Sequence, residues 1–304
     1  MKTSSLEKIL LDFFVKKVKT DRKFTHGSEL TKEKIKKAEE FFLKFLRNEN
    51  IYKSFSVRNG IVEKLIFAFE ENHPLKGKII ACPSFFISSN NPKEIMQEFV
   101  EIRKFLKNKK ASIFYSVSLN NKKALQAYLN AGFKIDATML RAKVTDSLKA
   151  VHSKSIELAE DFEIRVPQKK DFNALLNVEI NAHKSDPTSV VQDTGKKFKD
   201  GFKSLFTDLT KRKLLFAVFN EKGNPIAHIG VAARAKEIAH IMFIAISPEY
   251  QGQGLSYILY ERGLKKMKEV GAKEYTGFTS TKKVLRLSRK LKRKPKEYTL
   301  VCNP

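Results

Sequence analysis

The stretch Ser247–Ser256, "SPEYQGQGLS", decides how this chain is read. It follows an apolar run, "AHIMFIAI" (239–246), and leads into "LSYILYERGLKKMKEV" (255–270), whose apolar residues recur at helical spacing. Only 13 glycines occur in 304 residues. Two of them, Gly252 and Gly254, stand where a strand is expected to turn into a helix. A helix start carries unpaired backbone N–H groups and partial positive charge, so it can hold a phosphate group that comes close enough. Glycine removes the Cβ that would block that approach. A lone Gly-x-Gly equally describes an ordinary turn before a helix, so its surroundings must decide.

Working backwards, strands are expected at "EIAHIMFIAI" (237–246), "IAHIGVAAR" (226–234), "LLFAVFNE" (214–221) and "FEIRV" (162–166), with a turn at "KGNP" (222–225). Helices are expected at "KKDFNALLNVEINAH" (169–183) and "GKKFKDGFKSLFTDL" (195–209). Beyond the loop and its helix come a strand, "KEYTGFTST" (273–281), a cationic helix, and a last strand, "EYTLVC" (297–302). The first half has a similar succession: an amphipathic helix in "LTKEKIKKAEEFFLKFLRN" (30–48), strands "EKLIFAFEE" (63–71) and "GKIIACPSFFIS" (77–88), and a helix from Pro92. A strand, "ASIFYSVSL" (111–119), and a helix, "NKKALQAYLNAGF" (121–133), complete it. Strands and helices in mixed order, with a central hairpin, predict a mixed α/β sheet rather than a strictly alternating parallel one.

The halves overlay at a constant offset of 160 residues. Asn121, Ala124, Ala127, Tyr128 and Ala131 then fall on Thr281, Val284, Leu287, Ser288 and Leu291, and Tyr115 falls on Tyr275. Two domains also suit the length, because single cores stop growing at roughly 250 to 300 residues. The expected boundaries are 1–146 and 162–304, with a polar linker at 147–161.

Composition narrows the setting. The chain has 59 basic and 33 acidic residues, a formal charge of +26 spread over both halves. Such a field attracts polyanions but says nothing of the fold. Nucleic acid is therefore allowed as a partner and is not favoured. Cys82 and Cys302 alone resemble neither a disulfide framework nor a zinc site, so no metal is expected. The N-terminal "MKTSSLEKILLDFFVKKVKTDRK" is too interrupted by charge for a signal sequence, and no membrane-spanning run occurs, so a cytoplasmic protein is expected.

The loop Gln251, Gly252, Gln253, Gly254, Leu255, Ser256, with its "SPEY" lead-in and preceding strand, resembles the signature of the GNAT N-acetyltransferase superfamily. Only Ser256 departs from it, standing where the family has glycine or alanine. The first half resembles a second, degenerate copy, in which "NKKALQAYLNAGF" matches a later motif of the family through Asn121, Tyr128, Gly132 and Phe133. At the same offset Gly252, Gln253 and Gly254 face Pro92, Lys93 and Glu94, which implies that the first copy does not take the cofactor.

The resemblance implies two tandem GNAT-like domains, the C-terminal one an acetyl-CoA-dependent N-acetyltransferase. The acetyl group would pass to an amine of a small molecule or peptide by direct attack in a ternary complex. Coenzyme A would lie on the loop amides of Gln251, Gly252, Gln253, Gly254, Leu255 and Ser256, with Ala245 and Ile246 pairing to its pantetheine arm where a bulge splays the strands. Ser288 replaces the tyrosine that protonates the thiolate in many members, and Lys292 and Arg293 replace a Gly-Phe pair. His240 is the expected base; Glu237, Glu179 and His183 are reserves, each equally readable as a solvated group. The segment "NAHKSDPTSVVQDTGKK" (181–197) is expected to shape the acceptor pocket. The cationic segment "KKVLRLSRKLKRKPK" (282–296) is expected to be a packed helix that meets the 3′-phosphate or an anionic acceptor. The alternatives are a non-catalytic acyl-CoA-sensing or polyanion-binding module, and an aminoacyl transferase using charged tRNA. A homodimer is left open.

Overall fold

The computed structural model describes residues 4–26, 30–73, 77–107, 111–154, 157–158, 160–186, 194–235 and 237–303. The chain forms two compact units. The first holds the residues up to Thr138 together with the chain's last stretch from Lys296, and the second holds Met139–Pro295.

In the first unit, helices α1 (Ser5–His26) and α2 (Lys32–Arg47) precede strands β1 (Tyr52–Arg58), β2 (Ile61–His73) and β3 (Gly77–Ile87). Helix α3 (Pro92–Phe105), β4 (Ile113–Ser118), α4 (Lys122–Asn130) and β5 (Lys134–Lys143) follow. The second unit takes over β5 from Met139 and adds α5 (Val144–His152), β6 (Glu163–Arg165), α6 (Phe172–Lys184), α7 (Lys196–Lys211), β7 (Leu215–Phe219), β8 (Pro225–Ala235) and β9 (Ile238–Ile246). Then come α8 (Leu255–Glu269), β10 (Glu274–Thr279), α9 (Lys282–Lys290) and β11 (Lys294–Cys302), the last of which returns to the first unit.

Each sheet is mixed. The strand order is β1-β2-β3-β4-β11 in the first unit and β5-β10-β9-β8-β7-β6 in the second. The mixed α/β class and the tandem repeat expected from the sequence are both present. Helices α4 and α9 start and stop 160 residues apart, and the caps repeat as well: Asn121 Oδ1 accepts from the Ala124 N–H at 3.1 Å, and Thr281 Oγ1 accepts from the Val284 N–H at 3.2 Å. Each cap satisfies one of the donors that a helix start leaves unpaired.

Three features depart from the expectations. Residues 144–152, which include the start of the expected linker, form α5 instead. Val144, Leu148 and Val151 at steps of four and three are buried in the second unit's core. The N-terminal stretch considered only as a leader is a 22-residue helix, with Leu10, Phe14 and Val15 in a core shared with Phe42, Phe45 and Phe67. Strand β1, not anticipated, pairs antiparallel with β2.

Strand β11 pairs antiparallel with β4, from Glu297 opposite Ser118 to Cys302 opposite Ile113, and Leu300 is fully buried there. The end of the chain therefore completes the sheet of its beginning. Leu300→Ala is expected to destabilise the first unit by about 2–5 kcal/mol, the usual cost of emptying a core leucine site. Hydrogen exchange should show lost amide protection in β4 and retained protection in β8. Equal protection in parent and variant would contradict the pairing.

Candidate active site

The second unit's site starts from a pair of parallel strands that stop pairing. Strand β10 pairs with β9 over three positions only, Glu274–Thr276 against Ile238–His240, although both strands continue. On its other side β9 stays paired with β8, through a bulge at which Gly230 faces Phe243 and Val231 faces Ile241. A bulge bends and twists its strand, and beyond it β9 runs free of β10 to the loop at 247–254.

That loop turns on Gly252 and Gly254, with φ of 88° and 85°, a left-handed region that L side chains avoid. Gly254 is the N-cap of α8, and no side chain satisfies the first amides of the helix. A Cβ added at Gly252 would meet nothing within 4 Å, so the backbone lies open there. Gln251 ties the loop down: its Nε2 donates to the Ile246 carbonyl at 3.2 Å, and its Oε1 accepts from Lys283 Nζ at 3.0 Å. Leu255 is buried in the core and Gln253 Nε2 donates to the Glu249 carbonyl at 3.4 Å.

Two connected features follow. A cavity of about 260 Å³ is lined by Ile244, Ala245, Ile246, Gly252 and Ser256 from one direction and by Val284 and Leu287 from another, with His183 and Asp186 also in its wall. Beside it, a shallower recess runs from Gly252 to Tyr257 and is lined by Lys283, Arg286 and Lys290 of α9. The cationic helix thus presents three charges next to the open amides of α8, while Ser288 on its inner face is buried.

The first unit begins from the same split and closes it. Strands β3 and β4 pair only at Ile80–Ile113 and Ala81–Phe114. Tyr128 fills the gap: its hydroxyl donates to the Phe85 carbonyl at 2.8 Å, and its ring packs on Phe85, Tyr115 and Phe133 at centroid distances of 5.7, 5.2 and 5.7 Å. The residue 160 positions after Phe85 is Ala245, so the second unit has a methyl group where the first has an aromatic ring. The loop differs too. Between β3 and α3 lie residues 88–91, against 247–254 between β9 and α8. Pro92, Lys93 and Glu94 therefore belong to the first turn of α3, not to a substituted loop. Asn91 Oδ1 accepts from the Lys93 N–H at 3.0 Å, and Glu94 Oε2 accepts from Ser89 Oγ at 2.6 Å.

The expected catalytic pair lies off the cavity. His240 Nδ1 is 2.8 Å from Thr276 Oγ1, at the last paired position of β9 and β10, and His240 is not in the cavity wall. Ser288 is fully buried and accepts from Arg293 Nη1 at 3.2 Å. That guanidinium also donates to Tyr260 Oη at 2.9 Å and to the Gly277 carbonyl at 3.1 Å, so it fills space that Tyr128 and Phe133 occupy in the first unit. Glu237 pairs with Lys273 at 2.7 Å on the surface.

The reserves Glu179 and His183 prove informative. Glu179 is not solvated: only 5 % of it is exposed, and its carboxylate accepts from His183 at 3.0 Å and from His228 at 2.6 Å. The His183–Glu179 pair was legible as an i, i+4 spacing, whereas His228 lies 49 residues away on β8. Of the expected acceptor segment, residues 187–193 lie outside the described residues.

Burial alone would push the Glu179 carboxyl up, but the hydrogen bonds and charge of His183 and His228 outweigh it and hold it at about 2, against 4.5 in a free chain. A depressed carboxyl stabilises the fold fully above its unfolded value and loses that contribution as pH falls through its folded value. The second unit should therefore lose roughly 3 kcal/mol of stability between pH 4.5 and 2 from this group. Urea unfolding against pH should show that slope in the parent and a flatter one in Glu179→Gln; identical slopes would contradict it.

Residues 181–288 match the model of the Acetyltransferase (GNAT) family. No curated protein sequence matches the chain. Among solved structures, the chain is similar to a GCN5-related N-acetyltransferase from Sphaerobacter thermophilus, with 11% identity, 87% of this chain and 84% of that one covered, and a TM-score of 0.57. It is also similar to a tandem GNAT protein from the clavulanic acid biosynthesis pathway, with 7% identity, 95% and 94% covered, and a TM-score of 0.53. At these identities the likeness concerns the fold. The family match spans the split strands, the glycine loop and α9, and on that ground the second unit belongs to the GNAT acetyltransferase family.

Proposed function

We propose that the second unit transfers an acetyl group from acetyl-CoA to an amine of a small molecule or peptide, by direct attack in a ternary complex. The observation that carries this reading is the opening between β9 and β10, which ends at two left-handed glycines and an uncapped helix start. Acetyl-CoA would supply the acyl group as an activated thioester. The residues present suit it. Backbone groups of Ala245 and Ile246 face the gap as partners for a pantetheine amide chain, and a backbone amide at this end of β9 would polarise the thioester carbonyl. The amides of Gly252, Gln253, Gly254, Leu255 and Ser256 would hold the pyrophosphate, with Gln251 bracing the loop. Lys283, Arg286 and Lys290 would add charge for the phosphates.

A second reading is favoured by one observation. Neither Ser288 nor Arg293 lines the cavity, so no side chain stands where many members of the family place an acid for the thiolate. A non-catalytic module that senses acyl-CoA would have the same loop and no need of that acid. In the acetyltransferase reading the thiolate leaves without one, since it is a stable anion.

Calorimetric titration of the full chain with acetyl-CoA tests the common basis of both. The parent is expected to bind, and Gly254→Glu to lose at least about tenfold in affinity, because a side chain there is strained and its charge opposes the pyrophosphate. Thermal unfolding of the variant serves as the check that it folds. Absence of binding by the parent would contradict the proposal.

A further inference from the structure

Burying a carboxylate costs several kcal/mol unless donors surround it. Glu179 meets this cost with two imidazoles, one from its own helix and one from β8. A carboxylate only accepts hydrogen bonds, so each histidine carries a hydrogen on the nitrogen that faces it, Nε2 in both cases. His228 is fully buried, and its Nδ1 meets no hydrogen-bond partner. A hydrogen on Nδ1 would have no acceptor, so the ring is locked in the Nε2–H form. His183 is the outer member. It stands in the wall of the cavity that Ala245 and Gly252 also line, with the Phe198 ring edge-on at 5.9 Å. Three residues from two elements thus run from the core to the cleft: His228, Glu179, His183.

We propose that His183 is the general base of the acetyl transfer and that Glu179 and His228 are positioning residues behind it. The inference rests on reading the cleft as an acyl-thioester site. An alkylamine titrates near 10.4 and arrives at neutral pH as an ammonium, which cannot attack until it loses a proton. His183 takes that proton at Nδ1, since Nε2–H is committed to Glu179. The N–C bond can then form as the C–S bond breaks, and the electron pair of the broken bond leaves with the sulfur. The ionised Glu179 holds the ring in one tautomer and stabilises the imidazolium, as a buried carboxylate does behind any such base. His228 shields the second carboxylate oxygen and fixes its direction. The other charged groups in the cavity wall are Asp186, from the end of α6, and Lys283, from α9. Helix α7 and strand β9 present aromatic rings instead: Phe202 and Phe243 pack on His228 at 5.8 and 5.4 Å. His240, the base expected from its place on the cofactor strand, faces Thr276 rather than this cavity.

Nitrogen NMR of the full chain labelled at histidine tests this without a known acceptor, with acetyl-CoA as the probe. The expected result has four parts. His183 and His228 both show Nε2–H at neutral pH, and the His183 ring shifts on addition of acetyl-CoA. In that complex His183 takes a proton on Nδ1 as pH falls across the range of about 9 to 5 where imidazoles titrate, while His228 keeps its tautomer. Glu179→Gln binds acetyl-CoA as the parent does but no longer holds His183 in one tautomer. A His183 ring that ignores bound acetyl-CoA, stays in one protonation state throughout, or remains locked in Glu179→Gln overturns the proposal. A parent that does not bind acetyl-CoA overturns the reading of the cleft instead, and the calorimetry separates the two failures.

Discussion

Two parallel strands that pair and then part leave backbone amides and carbonyls without their ladder partners, and such groups must be satisfied somehow. Everything distinctive in this chain answers that constraint. In the first unit the answer is internal: Tyr128 enters the gap and donates to the Phe85 carbonyl, with three aromatic rings packed around it. In the second, Ala245 replaces the ring that would help to fill the gap, Ser288 replaces the tyrosine, and Arg293 occupies the depth behind them. What remains is a cavity of about 260 Å³ whose edge is backbone. One copy has kept the split strand and plugged it; the other has kept it open.

The loop follows the same division. Eight residues separate β9 from α8, room enough for two left-handed glycines and an uncapped helix start. Four residues separate β3 from α3, and there Asn91 caps the helix with its own side chain. A self-capped helix start has one donor fewer to offer a phosphate. The first unit is closed at the gap and at the loop by separate residues, which argues for scaffolding rather than a damaged second site. The return of β11 to pair with β4 agrees with this, because the first unit's sheet is complete only when the chain's end has folded into it.

The readable parts of the sequence were local. The glycine loop, the apolar faces of α4 and α9 and the caps Asn121 and Thr281 follow from spacing and residue type. The unreadable parts were those in which distant segments choose. Placing the base on His240 counted positions along a strand, but the bulge between His240 and Ala245 changes which way later residues face, and no local pattern announces a bulge. Glu179 read as solvated because nothing on α6 reveals that His228 stands across from it. The fixed offset of 160 failed at one place, between β3 and α3, because loops change length while the elements around them keep theirs. Helix α5 was passed over because its apolar residues are few and its neighbours polar.

The central claim is that a single chain carries one open and one self-filled copy of the same site. Hydrogen exchange followed by mass spectrometry, with and without acetyl-CoA, addresses it most directly. The account predicts new protection in the peptides that cover 244–256, at the end of β9, the loop and the start of α8, and none in those that cover 85–94. Protection in both regions, or in the first unit alone, would contradict it.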